Sequence, residues 1–416
     1  MQVEHLRIRR RKERLLASLC RTAICFSLGM LFILLSSLVA TGFYSFFQYR
    51  ISLNIKIPSD AGEISTVNYY GALRDSLLEY FPNAQERQEK KDIARLLSKS
   101  GSYVLYKHYD NNPEDFGKSI IVSIPVADLF DQLLKGRLDQ ADLIDTNMIN
   151  VQQIEYLDNL KNMGKLGIFF NSGLFLNYNS RFPEIAGLRG ALKGTFLALL
   201  ICAVVCIPIG IAAGVYLEEY GRKSKWAGFI EVNTNNLAAV PSIVFGLLAL
   251  AILLERVGIP RSAPLAAGIV LGVMTLPIVI ISTRTGIRAV PVSIREAVLA
   301  VGATKQQMIF SHLLPYASPR IMTGVIIGIA QAMGETAPLL LIGMNSFVTT
   351  KTGGMLSPSS ALPTQIYIWA GSPEKGFVSL AAAAMIVLLV FLLLLNSGAI
   401  YLRQRYEGVD GVKFGR

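Results

Sequence analysis

The sequence predicts an all-α polytopic membrane protein of six transmembrane helices, with a small α+β domain inserted after the first. Three observations predict it. Of 416 residues, 52% are hydrophobic and only 17% charged, against a soluble norm of roughly 25% charged, and the mean hydropathy is +0.44. The apolar residues concentrate in six runs, each meeting the roughly 20 residues a helix needs to cross a bilayer. One long polar region, Arg50 to Arg181, separates the first run from the other five. This pattern excludes soluble globular, disordered and collagen-like chains.

The chain opens on a basic segment over residues 1–21, with Arg7, Arg9, Arg10, Arg11, Lys12, Arg14 and Arg21. The first transmembrane helix is expected over 22–49, an uncharged run too long for the 7–15-residue apolar stretch of a cleaved signal. It therefore reads as an uncleaved anchor with its N-terminus inside.

Residues 50–183 form the expected extracytoplasmic α+β domain. Arg50 to Arg181 carries 15 basic and 17 acidic residues, close to neutral. A helix is expected over Ala84–Lys99, strands over Ser102–Tyr106 and Ser119–Pro125, and a further helix over Asp128–Leu138. His108 beside Asp110 reads as a loop or surface pair, and no catalytic constellation is visible. The four cysteines lie in or beside apolar runs and read as packing residues.

Five helices over 186–403 follow, from the uncharged runs Gly194–Leu217, Val232–Leu254, Ser262–Thr283 and Gly376–Leu402, and from Ile321–Thr350, interrupted only by Glu335. A cytoplasmic tail is expected over 404–416. With the N-terminus inside, the cytoplasmic segments hold nineteen Lys and Arg and the two short outer connections four. That is the asymmetry of a chain with both ends in the cytoplasm, and it accounts for the net charge of +11 without nucleic acid.

The connection 284–320 is unusually long. Ser293-Ile294-Arg295-Glu296 has the capping-box pattern, and Thr304-Lys305-Gln306-Gln307 repeats it. Gly302 lies between them, where a helix end takes left-handed backbone. Ser318-Pro319 reads as the N-cap and first residue of the next span. Ala297 and Ala300 are small enough for another protein to approach closely. Two short helices joined at a glycine and tied to two spans can transmit a push.

Glu296-Ala297-Val298, then Gly302, then Leu314-Pro315 resembles the EAA motif of bacterial ABC-importer permeases, with Val298 and His312 departing from it. Tyr216 to Ser224, Val240 to Leu247 and Gly334 to Leu340 then resemble the PstA family, permeases of the high-affinity phosphate importer, across roughly Ala186–Arg403. The resemblance implies the ABC-importer permease fold and a complex with a second permease PstC, a PstB ATPase dimer and the phosphate-binding protein PstS. It also implies ATPase coupling through Arg295, Glu296, Ala297, Ala300, Gly302 and Thr304. The domain at 50–183 resembles an insertion in a longer form of the family.

No G-x-x-x-x-G-K-[ST] phosphate loop occurs in the sequence, so the chain itself is not expected to hydrolyse ATP. No cofactor or metal is expected. Glu335 is the only charge in its apolar run, which is costly unless paired or solvated. Two readings stay open for it: the substrate path, or a packing contact to Asn233, Asn235 or Asn236. Gln331 stands where the family often has Arg; with Thr336 it is a candidate donor to phosphate. Arg284 and Arg288 are alternative donors or helix-end residues reaching for the interface. Gly324-x3-Gly328 reads as a helix-packing face. Permeases for molybdate or sulfate remain the nearest rival. A membrane receptor with an outer sensing domain and an ion-driven transporter are more distant ones.

Overall fold

The structure, a computed structural model, describes residues 2–57, 67–221, 225–349 and 353–409. The end of the expected tail, and Arg222, Lys223 and Ser224 of the quoted motif, lie outside them. Helix α1 (Gln2–Gly42) carries the first apolar run. It stops before the run does, because the aromatic residues from Phe47 onward belong to strand β1 (Phe47–Lys56). The predicted span over 22–49 is thus too long at its outer end. Alternation in β1 buries Ile51, Leu53 and Ile55 on one face, the signature of a half-covered strand.

The domain continues through α2 (Tyr69–Leu78), α3 (Arg87–Ala94), α4 (Gly101–Asn111), β2 (Ser119–Pro125), α5 (Asp128–Leu134), α6 (Gln140–Asp145), α7 (Val151–Asn162), β3 (Leu166–Phe170) and α8 (Gly173–Leu176). The sheet order is β2-β1-β3, antiparallel throughout, with Leu53 opposite Val122 and Phe47 opposite Phe170. Helices cover the buried face, where Leu73, Leu77, Ile93, Leu105, Ile124 and Leu157 form the core. Strand β2 lies where the sequence predicts it. The predicted strand at Ser102–Tyr106 is instead helix α4, because Gly101, Leu105 and Tyr109 recur at helical spacing and are buried together. The helix expected over Ala84–Lys99 shrinks to α3, and the one over Asp128–Leu138 ends before Gly136, whose φ is +67°. His108 sits on α4 and pairs with Asp115 at 3.2 Å rather than with Asp110.

Helix α9 (Arg189–Val215) runs on through a π-helical turn, Tyr216–Tyr220. Then come α10 (Lys225–Ala239), α11 (Ser242–Ala249), α12 (Pro264–Arg288), α13 (Val292–Ala300), α14 (Lys305–Met308), α15 (Leu314–Gly334), α16 (Ala337–Leu341), α17 (Leu362–Ala370) and α18 (Lys375–Val409). Among the described residues, five helices are long and apolar enough to cross a membrane. A sixth crossing requires α10 and α11 to count as one, and they meet at 102°. The predicted span Val232–Leu254 is therefore broken. Pro241 has no N–H to give, and its ring drives Val240 out of helical backbone. The connection expected at Glu218–Glu231 is also shorter, since helix occupies most of it.

Helix α12 packs between α9 and α15. Small residues let the backbones approach, as helices in lipid require. A Cβ added at Gly210 would lie 2.6 Å from Val279 Cγ1, and one at Gly328 2.6 Å from Thr275 Cγ2. Gly324 meets Ser282 in the same way, so the Gly324-x3-Gly328 face is a packing surface. Buried Cys202 and Cys206 lie in this core.

The domain is fastened to the last span by acids acting as helix caps. Asp128 Oδ2 accepts the N–H of Gly376, in the first turn of α18, at 3.0 Å. Glu184 Oε1 accepts the N–H of Asp128, which opens α5, at 2.9 Å. Carboxylates favour helix N-termini, where N–H groups and the dipole meet them. Gln48 donates to the Glu184 carbonyl at 2.9 Å, and Arg137 donates to Ser379 on α18. Glu184 Oε2 is buried without a hydrogen-bond partner among the described residues. Burial, with Asp128 adding to it, pushes the Glu184 carboxyl up to about 7; burial also raises Asp128 and Asp131, with Lys135 opposing it.

A carboxyl raised on folding stabilises the joint fully below its unfolded value near 4.5, and that stabilisation is lost as pH rises through about 7. Hydrogen exchange, corrected for intrinsic rates, should therefore show Asp128–Leu134 less protected at pH 8 than at pH 5.5. In Glu184→Gln the difference should largely vanish; an unchanged pH dependence would assign it to another group.

Candidate functional site

The site assembles where the second span, the fourth span and the long connection meet. Tyr216-Leu217-Glu218-Glu219-Tyr220 ends the second span as a π turn, a widening frequent at functional positions. The turn aims both carboxylates inward, leaving the Glu218 and Glu219 side chains 4% and 7% exposed. Glu218 accepts from Arg288 at 3.0 and 3.4 Å and lies 4.0 Å from Arg284. Arg284 also pairs with Glu231 of α10 at 2.9 Å. Glu219 accepts from Arg295 of α13, whose other nitrogen donates to the Ile287 carbonyl at 2.7 Å. Lys305 donates to the Glu219 carbonyl and lies 4.3 Å from the centre of the Tyr220 ring. Four cations from three elements thus converge on one acidic turn. Charges this buried are tolerated only when paired and hydrogen-bonded.

Arg295 is consequently a fastening residue with its head turned inward. Glu296, Ala297 and Ala300 are exposed on the other side of α13. Apolar groups accompany them: Val292 is 65% exposed, Leu299 48% and Val301 84%. Gly302 follows with φ +87° and has the left-handed geometry its position predicts. The Thr304 capping box is present, with Thr304 N–H donating to Gln307 Oε1 at 2.9 Å. The Ser293 box is not. Pro291 takes the N-cap position of α13 (φ −53°, ψ 140°), so Ser293 falls at the second helical position instead of before the helix. Ser318-Pro319 likewise lies within α15. The expected second short helix is the beginning of the fifth span, which runs from Lys305 through a π turn at Ile309–Leu313 to Gly334. His312, the departure from the EAA pattern, sits exposed in that turn, and Pro315 follows in the first turn of α15.

The substrate-path candidates separate into two places. Arg284 and Arg288 are held by Glu218 and Glu231 at the clamp. Gln331, Glu335 and Thr336 lie at a second helix break. Helix α15 stops at Gly334, Glu335 is extended (φ −72°, ψ 118°), and α16 restarts at Ala337. Gln331 is exposed and Glu335 and Thr336 half-buried. Thr336 Oγ1 donates to the Gly334 carbonyl at 3.5 Å. The Glu335 carboxylate makes no hydrogen bond among the described residues. Asn233, one expected partner, donates to Phe229 O at 2.7 Å instead, and Asn235 and Asn236 are exposed. Helix α16 packs on α11, where a Cβ added at Gly246 would lie 2.8 Å from Pro338 Cα. The two broken spans therefore face each other. Non-helical backbone at membrane depth persists only where protein or a wet cavity receives it. Among the described residues, no group of three His, Cys, Asp or Glu could hold a metal.

Sequence reasoning missed Glu218 and Glu219 as a clamp. The available signal was two adjacent acids ending an uncharged run, opposite a connection whose charges are mostly basic.

Two family models match separate stretches of the chain. Residues 206–407 match the binding-protein-dependent transport system inner membrane component, and residues 3–142 match a domain of unknown function, DUF3333. The phosphate transport system permease protein PstA of Yersinia pestis is 37% identical over 211 residues, 50% of this chain and 70% of that protein. Its counterpart in Xylella fastidiosa is 35% identical over 213 residues, 51% of this chain and 73% of that one. Among solved structures, the inward-facing MetNI methionine ABC transporter aligns with TM-score 0.40 at 20% identity, covering 53% of this chain and 95% of that one.

Removing one member of a buried ion pair strands the other at a cost of about 3–5 kcal/mol. Glu219→Ala should therefore release α13 locally, and trypsin should cut after Arg295 or Lys305 in membrane vesicles at least about tenfold faster. Glu219→Gln, which still accepts a hydrogen bond, should fall between. Equal cleavage of all three proteins would show that the clamp does not hold the segment.

Proposed function

Because the chain belongs to the PstA family of phosphate transport permeases, we propose that it forms half of the translocation pathway of an ATP-driven importer of inorganic phosphate. It is a transport subunit, not an enzyme. In this reading PstC supplies the other half, a PstB dimer beneath them hydrolyses ATP, and PstS delivers phosphate from outside. The complex sits in the bacterial inner membrane with both termini cytoplasmic and residues 50–183 periplasmic, an orientation supported by the excess of Lys and Arg in the cytoplasmic connections.

The observation that carries the coupling is the shape of α13 and its turn. The helix is pinned on one side by Arg295 and offers Glu296, Ala297, Ala300, Leu299 and Val301 on the other. An exposed apolar ridge with small residues beside it is a docking surface, and a rigid attachment to two spans turns a movement of the docked ATPase into a movement of the pathway. Gly302 and the Thr304 cap fix the angle at which the ridge is presented.

The path itself is assigned to the paired breaks, Pro241 in one span and Glu335 in the other. Phosphate at neutral pH keeps a proton that sulfate lacks. A carboxylate at Glu335 accepts that hydrogen bond but repels sulfate, while Gln331 and Thr336 donate to the remaining oxygens.

Gly302→Val tests the coupling. A Cβ there meets nothing within 4 Å, so the penalty is backbone strain alone, about 1–2 kcal/mol. The variant should insert normally yet lose copurifying ATPase and phosphate-stimulated hydrolysis, with Gly302→Asn milder because Asn tolerates left-handed backbone. Normal phosphate uptake by Gly302→Val would refute the docking. The path has its own test in Glu335→Gln, which should lower phosphate transport and raise sulfate passage while the complex assembles. Poor assembly with unchanged anion preference would make Glu335 a packing residue.

A further inference from the structure

The inserted domain encloses a cleft of about 700 Å³ against the outer end of the helices. One wall is α4 and the turn before it, with Lys99, Tyr103 and Lys107. The second is the segment joining the domain to the second span, with Tyr178, Arg181 and Arg189. The loop after α16 closes the third side.

The charge of this cleft is one-sided. Its lining holds four cations and no Asp or Glu. The polar region around it carries 15 basic and 17 acidic residues, so a wholly cationic lining does not follow from composition. Three basic residues elsewhere in the domain lie beside acids: Lys135 with Asp131, Arg95 with Asp92, Arg74 with Asp75. Among the described residues, Lys99, Lys107, Arg181 and Arg189 make no ion pair. Arg189 lies over the Tyr178 ring, 5.4 Å from its centre, a contact that fixes a guanidinium while leaving its N–H edge available. A concave wall of one sign focuses potential and concentrates counter-ions. Arg forks and Lys ammonium groups suit phosphate oxygens, and the hydroxyl and amide groups between them add neutral donors.

We propose that this cleft is a binding site for a phosphate-bearing anion, held by Lys99, Lys107, Arg181 and Arg189 between the inserted domain and the outer end of the transmembrane core. The volume exceeds that of inorganic phosphate alone and the walls are partly aromatic, so the phosphate enters with its water or attached to a larger body. The two sources of that chemistry are phosphate in solution and the headgroup of an anionic lipid. The inference rests on the permease reading only for its choice of phosphate over other oxyanions.

The experiment is hydrogen exchange on the full chain in phosphatidylcholine nanodiscs, read at residues 99–107 and 177–189. Inorganic phosphate is titrated against chloride of equal ionic strength, and a second preparation includes phosphatidylglycerol. Protection by phosphate assigns the site to the free anion; protection only with phosphatidylglycerol assigns it to lipid. In either case Lys99→Gln/Lys107→Gln and Arg181→Gln/Arg189→Gln should each raise the half-saturating concentration of phosphate, or of phosphatidylglycerol, at least about tenfold. All four side chains are exposed, and unchanged thermal melting of the variants would confirm that they fold. No protection with either probe, equal protection by chloride, or protection indifferent to both variants would overturn the proposal. The readout needs no ATPase, so its failure leaves the permease reading standing, and a failed Gly302→Val test leaves this cleft standing.

Discussion

The burial of two adjacent carboxylates at the end of the second span is the constraint on which the working end of this molecule depends. Neither Glu218 nor Glu219 is stable in that position by itself, since a desolvated charge without a partner costs several kcal/mol. The partners arrive from places far apart in the chain: Arg284 and Arg288 on the fourth span and Arg295 on α13, while Lys305 donates to the Glu219 carbonyl of the same turn. The cost of the unpaired state therefore enforces one relative placement of three elements. An apolar contact would tolerate sliding, whereas hydrogen-bonded ion pairs with buried ends do not. The π turn is part of this constraint because both acids lie on it, Glu218 buried against the fourth span and Glu219 against α13.

The opposite end of the molecule follows the same logic with different groups. Asp128 and Glu184 satisfy N–H groups at helix starts, and the domain is held to the last span through those caps. Between the two ends the packing is nonpolar and depends on the absence of side chains, as where Gly210 meets Val279 and Gly328 meets Thr275. Polar bonds thus set orientation at the two ends, and close backbone contact sets distance in the middle. The helices that follow the breaks at Pro241 and Glu335, α11 and α16, pack on each other.

What was legible in the sequence was whatever a periodic pattern or local backbone chemistry determines. The apolar runs located the spans, Gly302 announced its left-handed turn, and Thr304 with Gln307 announced a cap. Ser293 shows the limit: its pattern matched a capping box, but Pro291 two residues earlier takes the N-cap position. Ser102–Tyr106 was misread because a short run with Val and Tyr satisfies strand propensity as well as helix spacing, and burial of Leu105 and Tyr109 against the rest of the domain decides between them. The pairing of Glu219 with Arg295 spans 76 positions. No local pattern encodes such a pair.

That difference between local and distant determinants bears on how a push travels. Segment 292–305 is a rigid unit by local chemistry, with a proline start, a glycine turn and a capped second helix. It continues at Lys305 into the fifth span, and its connection to the second span is made by the distant pair Glu219 and Arg295. In the proposed coupling, a force applied at Val301 or Leu299 reaches the clamp, where Arg295 is bonded to the second span through Glu219 and to the fourth through the Ile287 carbonyl. The fourth span is packed by small residues against both the second and the fifth, and the fifth ends at the Glu335 break. Interfaces packed this closely favour discrete rearrangement over gradual deformation. The Glu335 break lies at the end of this route. In the proposed coupling, movement imposed at the clamp reaches a point where the chain is discontinuous and where a carboxylate stands without a partner among the described residues.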